Sequence, residues 1–264
     1  MPLPAVIAHR GFSGIAPENT LPALQLAIDS GADMVEFDVR VTKDHQLVVI
    51  HDATVERTTN GTGAVSQYTF QELQTLDAGT WFGQAFSGTP VPSFKQVLQL
   101  CNGSVYMNIE IKTDEQSAPA LDHLVNRVSE HVLGMNVSRS VVISSYNLYI
   151  VRRLREINPD VVTALLSDQE HLIECELLTA RKVGASALHV PIRLATKQLA
   201  DRAREQNLIT AVHTVNELPD MRRITALGFD GIFTDYPDRL RKLIEDTRQT
   251  TVTTAWDQHL SLVP

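Results

Sequence analysis

Two pairs of residues carry the chemistry. Glu36 and Asp38 stand two apart in Glu-Phe-Asp-Val, and Glu110 and Lys112 two apart in Glu-Ile-Lys. In an extended strand, residues two apart project to the same side. Three carboxylates are therefore predicted to face one interior. Like charges so close are costly unless a cation neutralises them, and an all-oxygen donor set favours a hard ion, Mg²⁺ or Ca²⁺, over zinc. The competing reading is a metal-free cluster satisfied by ion pairs to Lys112 and Arg10.

His9 closes a strand-like run immediately before Arg10-Gly11, and His51 closes another. Two histidines flanking one ligand suit a general base and a general acid near neutral pH. Either alone would read as a hydrogen-bonded structural residue; the company of the carboxylates favours chemistry. Arg10 and Lys112 add positive charge that matches an anionic substrate, and a guanidinium grips phosphate oxygens in bidentate fashion. Their plainer use is partnership with the local carboxylates, and the two uses are compatible. The Gly-rich Asn60-Gly-Thr-Gly lacks the preceding strand and following helix of a phosphate-cradling loop, so it reads as a turn.

The elements that must position these residues alternate down the chain as βα units. Strands are predicted over Ala5 to His9, Met34 to Val41, Val105 to Lys112, Val141 to Tyr146, Val161 to Ser167, Ala187 to Pro191, Ile209 to Val215 and Gly231 to Asp235. Most are nearly continuously apolar, as strands covered on both faces are. Amphipathic helices are predicted over Asn19 to Ser30, Phe94 to Leu100, Ala118 to Val132, Leu148 to Ile157, Leu172 to Val183, Lys197 to Gln206, Glu217 to Leu227 and Asp238 to Arg248. Gly31, Gly134, Gly184 and Gly228 fall where a left-handed residue ends a helix, and Asn158-Pro159 stops another. Eight strands and eight helices make an α/β fold, a (β/α)8 TIM barrel with a small insertion after the second strand.

That insertion adds about fifty residues before the helix at Phe94. It turns at Thr42-Lys43-Asp44-His45, returns as a strand Leu47 to His51 and runs on to Pro92. Excursions of this kind sit mostly on the C-terminal face of barrels, where active sites are built, so it is expected to cap the site. Its returning strand would bring His51 near His9. Tyr68, Phe70, Trp81, Phe82 and Phe86 are expected to pack the cap internally more than to line the site. The expected organisation is one catalytic barrel over residues 1–250, with the insertion at 53–92 and a tail at 251–264.

Composition narrows the partners. The 264 residues carry 23 Lys plus Arg against 31 Asp plus Glu, a net charge of -8, with no basic cluster for a nucleic acid. No apolar run approaches the ~20 residues of a membrane-spanning helix, and the start shows no secretory leader, so a soluble, cytoplasmic protein without stable membrane association is expected. Cys101 and Cys175 lack metal or disulfide spacing and read as buried small hydrophobes. Oligomeric state is not readable.

Taken together, His9-Arg10-Gly11, Pro17-Glu18-Asn19-Thr20, Glu36-Phe-Asp-Val, Leu-Val-Val-Ile-His51-Asp52, Arg57-Thr-Thr-Asn-Gly61, Glu110-Ile-Lys112 and Thr234-Asp235-Tyr-Pro237 resemble the glycerophosphodiester phosphodiesterase family in order. The resemblance covers about residues 5–245. It implies metal-dependent hydrolysis of small soluble diesters, such as glycerophosphocholine or glycerophosphoethanolamine, to sn-glycerol 3-phosphate and an alcohol. It also implies that Glu36, Asp38 and Glu110 hold one divalent cation, Mg²⁺ or Ca²⁺, that His9 and His51 exchange protons, and that Arg10 and Lys112 bind phosphate. The segment 53–92 matches the family's insertion. A departure is His213, where members usually carry Trp before Thr-Val-Asn. The rival readings are a lysophospholipase D-type activity on lipids and a non-catalytic glycerophosphoryl-binding barrel.

Overall fold

Continuous runs of β-branched and other apolar residues leave no face for water, so they pair side by side and are covered by helices. In the computed structural model, which describes residues 3–114, 117–168 and 173–247, they form β1 (Ala5–Ala8), β2 (Met34–Val41), β3 (Leu47–Val49), β4 (Tyr106–Ile111), β5 (Val141–Ser145), β6 (Val162–Leu166), β7 (Ala187–Pro191), β8 (Ile209–His213) and β9 (Gly231–Thr234). All but β3 pair in parallel, in the order β1-β9-β8-β7-β6-β5-β4-β2, and β1 also pairs with β2. The ring is closed as an eight-stranded barrel. β3 lies antiparallel against the outer end of β2, with Val39 opposite Val49.

Around the ring run α1 (Leu21–Asp29), α3 (Phe94–Cys101), α4 (Ala118–Gly134), α5 (Leu148–Ile157), α6 (Ile173–Lys182), α7 (Lys197–Glu205), α8 (Leu218–Leu227) and α9 (Pro237–Thr247), while the short α2 (Phe70–Leu73) belongs to the insertion. Among the described residues the expected eight strands and eight helices are present. The predicted helix ends at Leu172 and Arg248, and the tail 251–264, lie outside the described residues.

Strand alternation divides the apolar residues into two cores. Ile7, Met34, Val142, Ala164, Ala211 and Phe233 fill the barrel interior. Val35, Phe37, Ile109 and Ile143 point outward onto α1, α3 and α4, where Phe37 meets Phe94 at 6.2 Å between ring centroids. The same parity carried one or two steps beyond Met34 and Tyr106 sends Glu36, Asp38 and Glu110 inward above the apolar plug. The site therefore lies at the C-terminal mouth.

The insertion packs as expected, around a small core of its own made by Val48, Ile50, Val55, Val65, Leu73 and Val91, with Tyr68 and Phe70 against it. Trp81, Phe82 and Phe86 stack edge to face at 5.6 and 5.7 Å outside that core, and Trp81, expected to pack internally, is 42% exposed. A Cβ on Gly79 would lie 1.8 Å from the Phe86 carbonyl oxygen, so this close approach admits only glycine.

Three expectations are corrected. Cys175 is exposed, unlike Cys101; it stands two residues before buried Leu177 on α6, about 200° around the helix and therefore on the outer face. Gly134 is the last residue of α4, and the left-handed conformation falls to Asn136 at φ +55°. Asn is a residue that tolerates this region. The first helix starts at Leu21 rather than Asn19, because Asn19 takes φ +58° and Thr20 becomes the N-cap, accepting a hydrogen bond from the Ala23 N–H. Gly31, Gly184 and Gly228 do take the left-handed conformation, at φ +78°, +78° and +83°.

Candidate active site

The register of β2 against β4 pairs Asp38 with Glu110. One carboxylate oxygen each from Glu36, Asp38 and Glu110 lies within 4.8 Å of the others, and all three residues are buried. Glu36 Oε2 accepts a hydrogen bond from the Arg10 backbone N–H at 2.8 Å, whereas its buried Oε1 has no hydrogen-bond partner. Asp38 Oδ2 accepts from Asn19 Nδ2 at 2.8 Å, and the Asp38 N–H donates to Asn19 Oδ1 at 3.1 Å. Lys112 Nζ is 3.3 Å from Asp38 Oδ1 and forms an ion pair with Glu110 Oε1; Arg10 Nε is 3.4 Å from Asp38 Oδ2.

The three carboxyls differ in charge because their surroundings differ. Burial, reinforced by the charges of Asp38 and Glu110, pushes Glu36 well above the usual carboxylate range. Burial and Asp38 push Glu110 up to about 7. Burial acts in the same direction on Asp38, but Lys112 and Arg10 outweigh it and keep that carboxyl below its ordinary value. Lys112 and Arg10 thus satisfy Asp38, whereas Glu36 and Glu110 hold protons more readily than ordinary carboxylates and Glu36 keeps a bare oxygen. The donor set, all oxygen and buried, fits a hard divalent cation.

Each histidine is held by a carboxylate through Nδ1. His9 Nδ1 is 2.7 Å from Asp235 Oδ1, and Asp235 is fixed in turn by Ser13 Oγ at 2.9 Å and Asn216 Nδ2 at 2.6 Å. His51 Nδ1 is 2.5 Å from Asp52 Oδ1. With Nδ1 engaged in both rings, Nε2 is the nitrogen left for proton exchange. Burial lowers the His51 imidazole, against the opposing charge of Asp38, so it tends toward the neutral, base-competent form. Arg57, helped by His51, holds Asp52 far below the usual range despite partial burial.

A continuous ion-pair network links the two flanks. Arg57 donates to Asp52 at 2.6 Å and to both oxygens of Glu18 at 2.7 and 2.8 Å, and Glu18 accepts from Arg10 at 2.7 Å. Gly11 makes the tight bend after Arg10 possible: at φ +83°, an added Cβ would sit 2.6 Å from the Ala23 carbonyl carbon.

The structure places all seven sequence-predicted residues at this mouth. Glu36, Asp38 and Glu110 lie side by side, with Arg10 and Lys112 against them, and His51 stands within the electrostatic reach of Asp38. Residues to which the sequence reading gave no role are Glu18, Asn19, Asp52, Arg57, Asn216 and Asp235. For Asp52 the adjacency His51-Asp52 was a usable signal; for Asp235, 226 positions from His9, the signals were its place just after β9 and its motif Thr234-Asp235-Tyr-Pro237. His213 ends β8 inside the mouth, 6.2 Å from the Phe233 ring, with its buried Nε2 lacking a hydrogen-bond partner. Burial and the neighbouring His9 push it down to about 4, so it is neutral at pH 7.

Comparison with known proteins finds one family. The profile of the glycerophosphoryl diester phosphodiesterase family matches residues 9–239. The chain is 37% identical over 245 residues to a glycerophosphodiester phosphodiesterase of Caldanaerobacter subterraneus subsp. tengcongensis, covering 90% of this chain and 97% of that protein. Among solved structures, a phosphodiesterase from Oleispira antarctica in complex with the product sn-glycerol-3-phosphate superposes with a TM-score of 0.83 at 26% identity, over 92% of this chain and 97% of the other. A glycerophosphodiester phosphodiesterase from Agrobacterium tumefaciens gives 0.79 at 29% identity, over 91% and 100%.

Proposed function

The chain belongs to the glycerophosphoryl diester phosphodiesterase family, and from that premise we propose that it hydrolyses small, water-soluble glycerophosphodiesters to sn-glycerol 3-phosphate and an alcohol with the help of one divalent cation. The observation that carries this reading is the buried Glu36, Asp38 and Glu110 cluster, flanked by two carboxylate-held histidines at the barrel mouth.

In the proposed mechanism the carboxylates hold Mg²⁺ or Ca²⁺, which when bound supplies Lewis-acid polarisation of the phosphoryl group. Arg10 and Lys112 bind phosphate oxygens. Arg10 is held in place for this by its ion pairs to Glu18 and Asp38. One imidazole Nε2 takes the proton of the nucleophile and the other protonates the departing alkoxide. Asp235 and Asp52 keep each ring in the tautomer that presents Nε2, and both stabilise the imidazolium when it forms.

The test is an assay of a diester panel with and without chelator, coupled to detection of glycerol 3-phosphate. Turnover that chelation abolishes and a divalent cation restores is expected; chelator-resistant turnover refutes the metal, and no glycerol 3-phosphate refutes the reaction.

Cation affinity should depend on pH. A cation binds the ionised carboxylate, and Glu110 is held up to about 7, so below that value the ion must displace a proton. Apparent affinity for Mg²⁺ or Ca²⁺ is therefore expected to weaken by about tenfold per pH unit below 7, with proton release on binding. Titration calorimetry in buffers of different ionisation enthalpy reads both; a flat affinity from pH 5 to 8 refutes the assignment of Glu110 as a ligand.

Substrate size is the second expectation. The insertion has its own core and reaches the mouth through Arg57, which supports its reading as a cap, and among the described residues no helix is long and apolar enough to cross a membrane. Glycerophosphoethanolamine-sized diesters should therefore exceed long-chain lysophospholipids in kcat/KM, measured below the micelle threshold of the lipid. Equal or higher efficiency on the lysolipid would promote the lysophospholipase D reading.

A further inference from the structure

Beside the carboxylate cluster lies a second feature, a cavity of about 400 Å³ between the β2–β3 hairpin, the start of the insertion, the segment after β4 and the first turns of α4. Its volume is within the range of roughly 300–1,000 Å³ typical of small-molecule sites. Three connections tie it to the mouth. Lys112 lines it while touching Asp38 and Glu110. Arg40 lines it while donating from Nε to the His51 carbonyl at 2.7 Å. Ala53 lines it two residues after His51. The cavity thus adjoins the carboxylate cluster through Lys112.

The opposite side of the mouth presents a different wall. In the eight-strand ring β8 stands across from β4, so His213 faces Lys112 over the mouth. Its neutral imidazole, with an unpartnered buried Nε2, offers a hydrogen bond to a hydroxyl, and Asn216 and Asp235 lie on the same side. The polar wall suits glycerol. The cavity has an apolar floor of Val41, Val65 and Leu124, and above it the donors of Lys43, His45 and His123.

Resting on the phosphodiesterase reading above, we propose that this cavity is the subsite for the leaving alcohol and that it selects a neutral polyhydroxy alcohol, of the size of glycerol or inositol, over choline or ethanolamine. The selection follows from charge and from what the lining lacks. Among the described residues Asp114 is the sole carboxylate of the lining, and its Oδ2 already accepts from Arg40 at 2.9 Å. Arg40 is paired with Asp114, and Lys112 with Asp38 and Glu110, so among the described lining residues Lys43 is the lysine or arginine outside these ion pairs and the one that repels an ammonium group. Among the described lining residues there is no Phe, Tyr or Trp to stack on a quaternary ammonium. Hydroxyl oxygens, by contrast, accept from these donors while the carbon skeleton covers the apolar floor.

The experiment compares kcat and KM of the full chain, with Mg²⁺ or Ca²⁺, on glycerophosphoinositol, glycerophosphoglycerol, glycerophosphocholine and glycerophosphoethanolamine. The wild type should favour the polyol diesters by about tenfold in kcat/KM, the scale at which a pocket discriminates by a few groups. Ser66→Trp, at an exposed position on one wall, and Ala120→Trp, in the first turn of α4 on the other, fill the space independently. With the fold verified by circular dichroism, either should raise KM for glycerophosphoinositol by about tenfold and leave glycerophosphoethanolamine within about twofold. Lys43→Glu should narrow the preference against choline. Equal or better use of the choline diester by the wild type, or an equal effect of the tryptophans on every diester, overturns the cavity assignment and leaves the reaction standing. Hydrolysis of none of the four by the wild type overturns the phosphodiesterase reading itself, and the subsite with it.

Discussion

His9→Ala and His51→Ala are each expected to lower kcat by about 10² to 10⁴-fold, the range over which a positioned acid or base contributes. Neither ring belongs to an apolar core, and both stand partly exposed at the mouth, with side chains 19% and 29% accessible. Their removal should therefore move the melting temperature by only a few degrees. The partners give a finer readout. Asp235→Asn keeps the size of the side chain but loses the charge that orients His9 and stabilises its imidazolium, so it should lower kcat more than it raises KM. Near-normal turnover in a folded His9→Ala or His51→Ala protein would remove that histidine from the mechanism.

The second large effect concerns the carboxylates, where activity and stability should part. Glu36→Gln, Asp38→Asn and Glu110→Gln are each expected to lower kcat by roughly 10² to 10³-fold and to weaken cation binding seen by calorimetry, because each removes a charged oxygen from the cluster that stabilises the transition state. In chelated protein the consequences for stability differ in sign. Glu36 is raised well above its ordinary value by burial and by its two acidic neighbours, so its ionised form is disfavoured in the folded state from about pH 4.5 upward, and stability falls as pH rises through that range. Glu36→Gln removes this cost and should raise the melting temperature at pH 8. Asp38 is held below its ordinary value by Lys112 and Arg10, so its ionised form stabilises the fold above about pH 4. Asp38→Asn leaves those two buried cations underpaired and should lower the melting temperature. Thermal unfolding of both variants in chelator at pH 8 decides it; a shift of the same sign in both would show that Lys112 and Arg10 do not set Asp38 apart from Glu36.

Alternation and periodicity were sufficient for the fold and for the core of the site. Once Met34 to Val41 is a strand, Glu36 and Asp38 share a side whatever the rest of the chain does, and the same holds for Glu110 with Lys112. Eight βα units then bring those sides to one mouth, because a closed parallel barrel has a single C-terminal face. These are local rules, and they constrain direction but not distance. The exposure of Cys175 escaped them because the apolar face of α6 is weakly marked, and Asn19 escaped because a helix-like spacing hid a left-handed residue turned onto Asp38.

The partnerships were decided by tertiary structure. His9 meets Asp235 across 226 positions because β1 and β9 become neighbours only when the ring closes. Arg57 joins Asp52 to Glu18 because the insertion folds back over the mouth, and the difference in charge among Glu36, Asp38 and Glu110 arises from which of them Lys112 and Arg10 reach. The sequence by itself determined which residues face the interior, since side-chain direction in a strand follows from covalent geometry. Which of them touch, and hence which carboxyls and imidazoles are charged at neutral pH, depends on barrel closure and burial, which act between segments that the sequence keeps far apart.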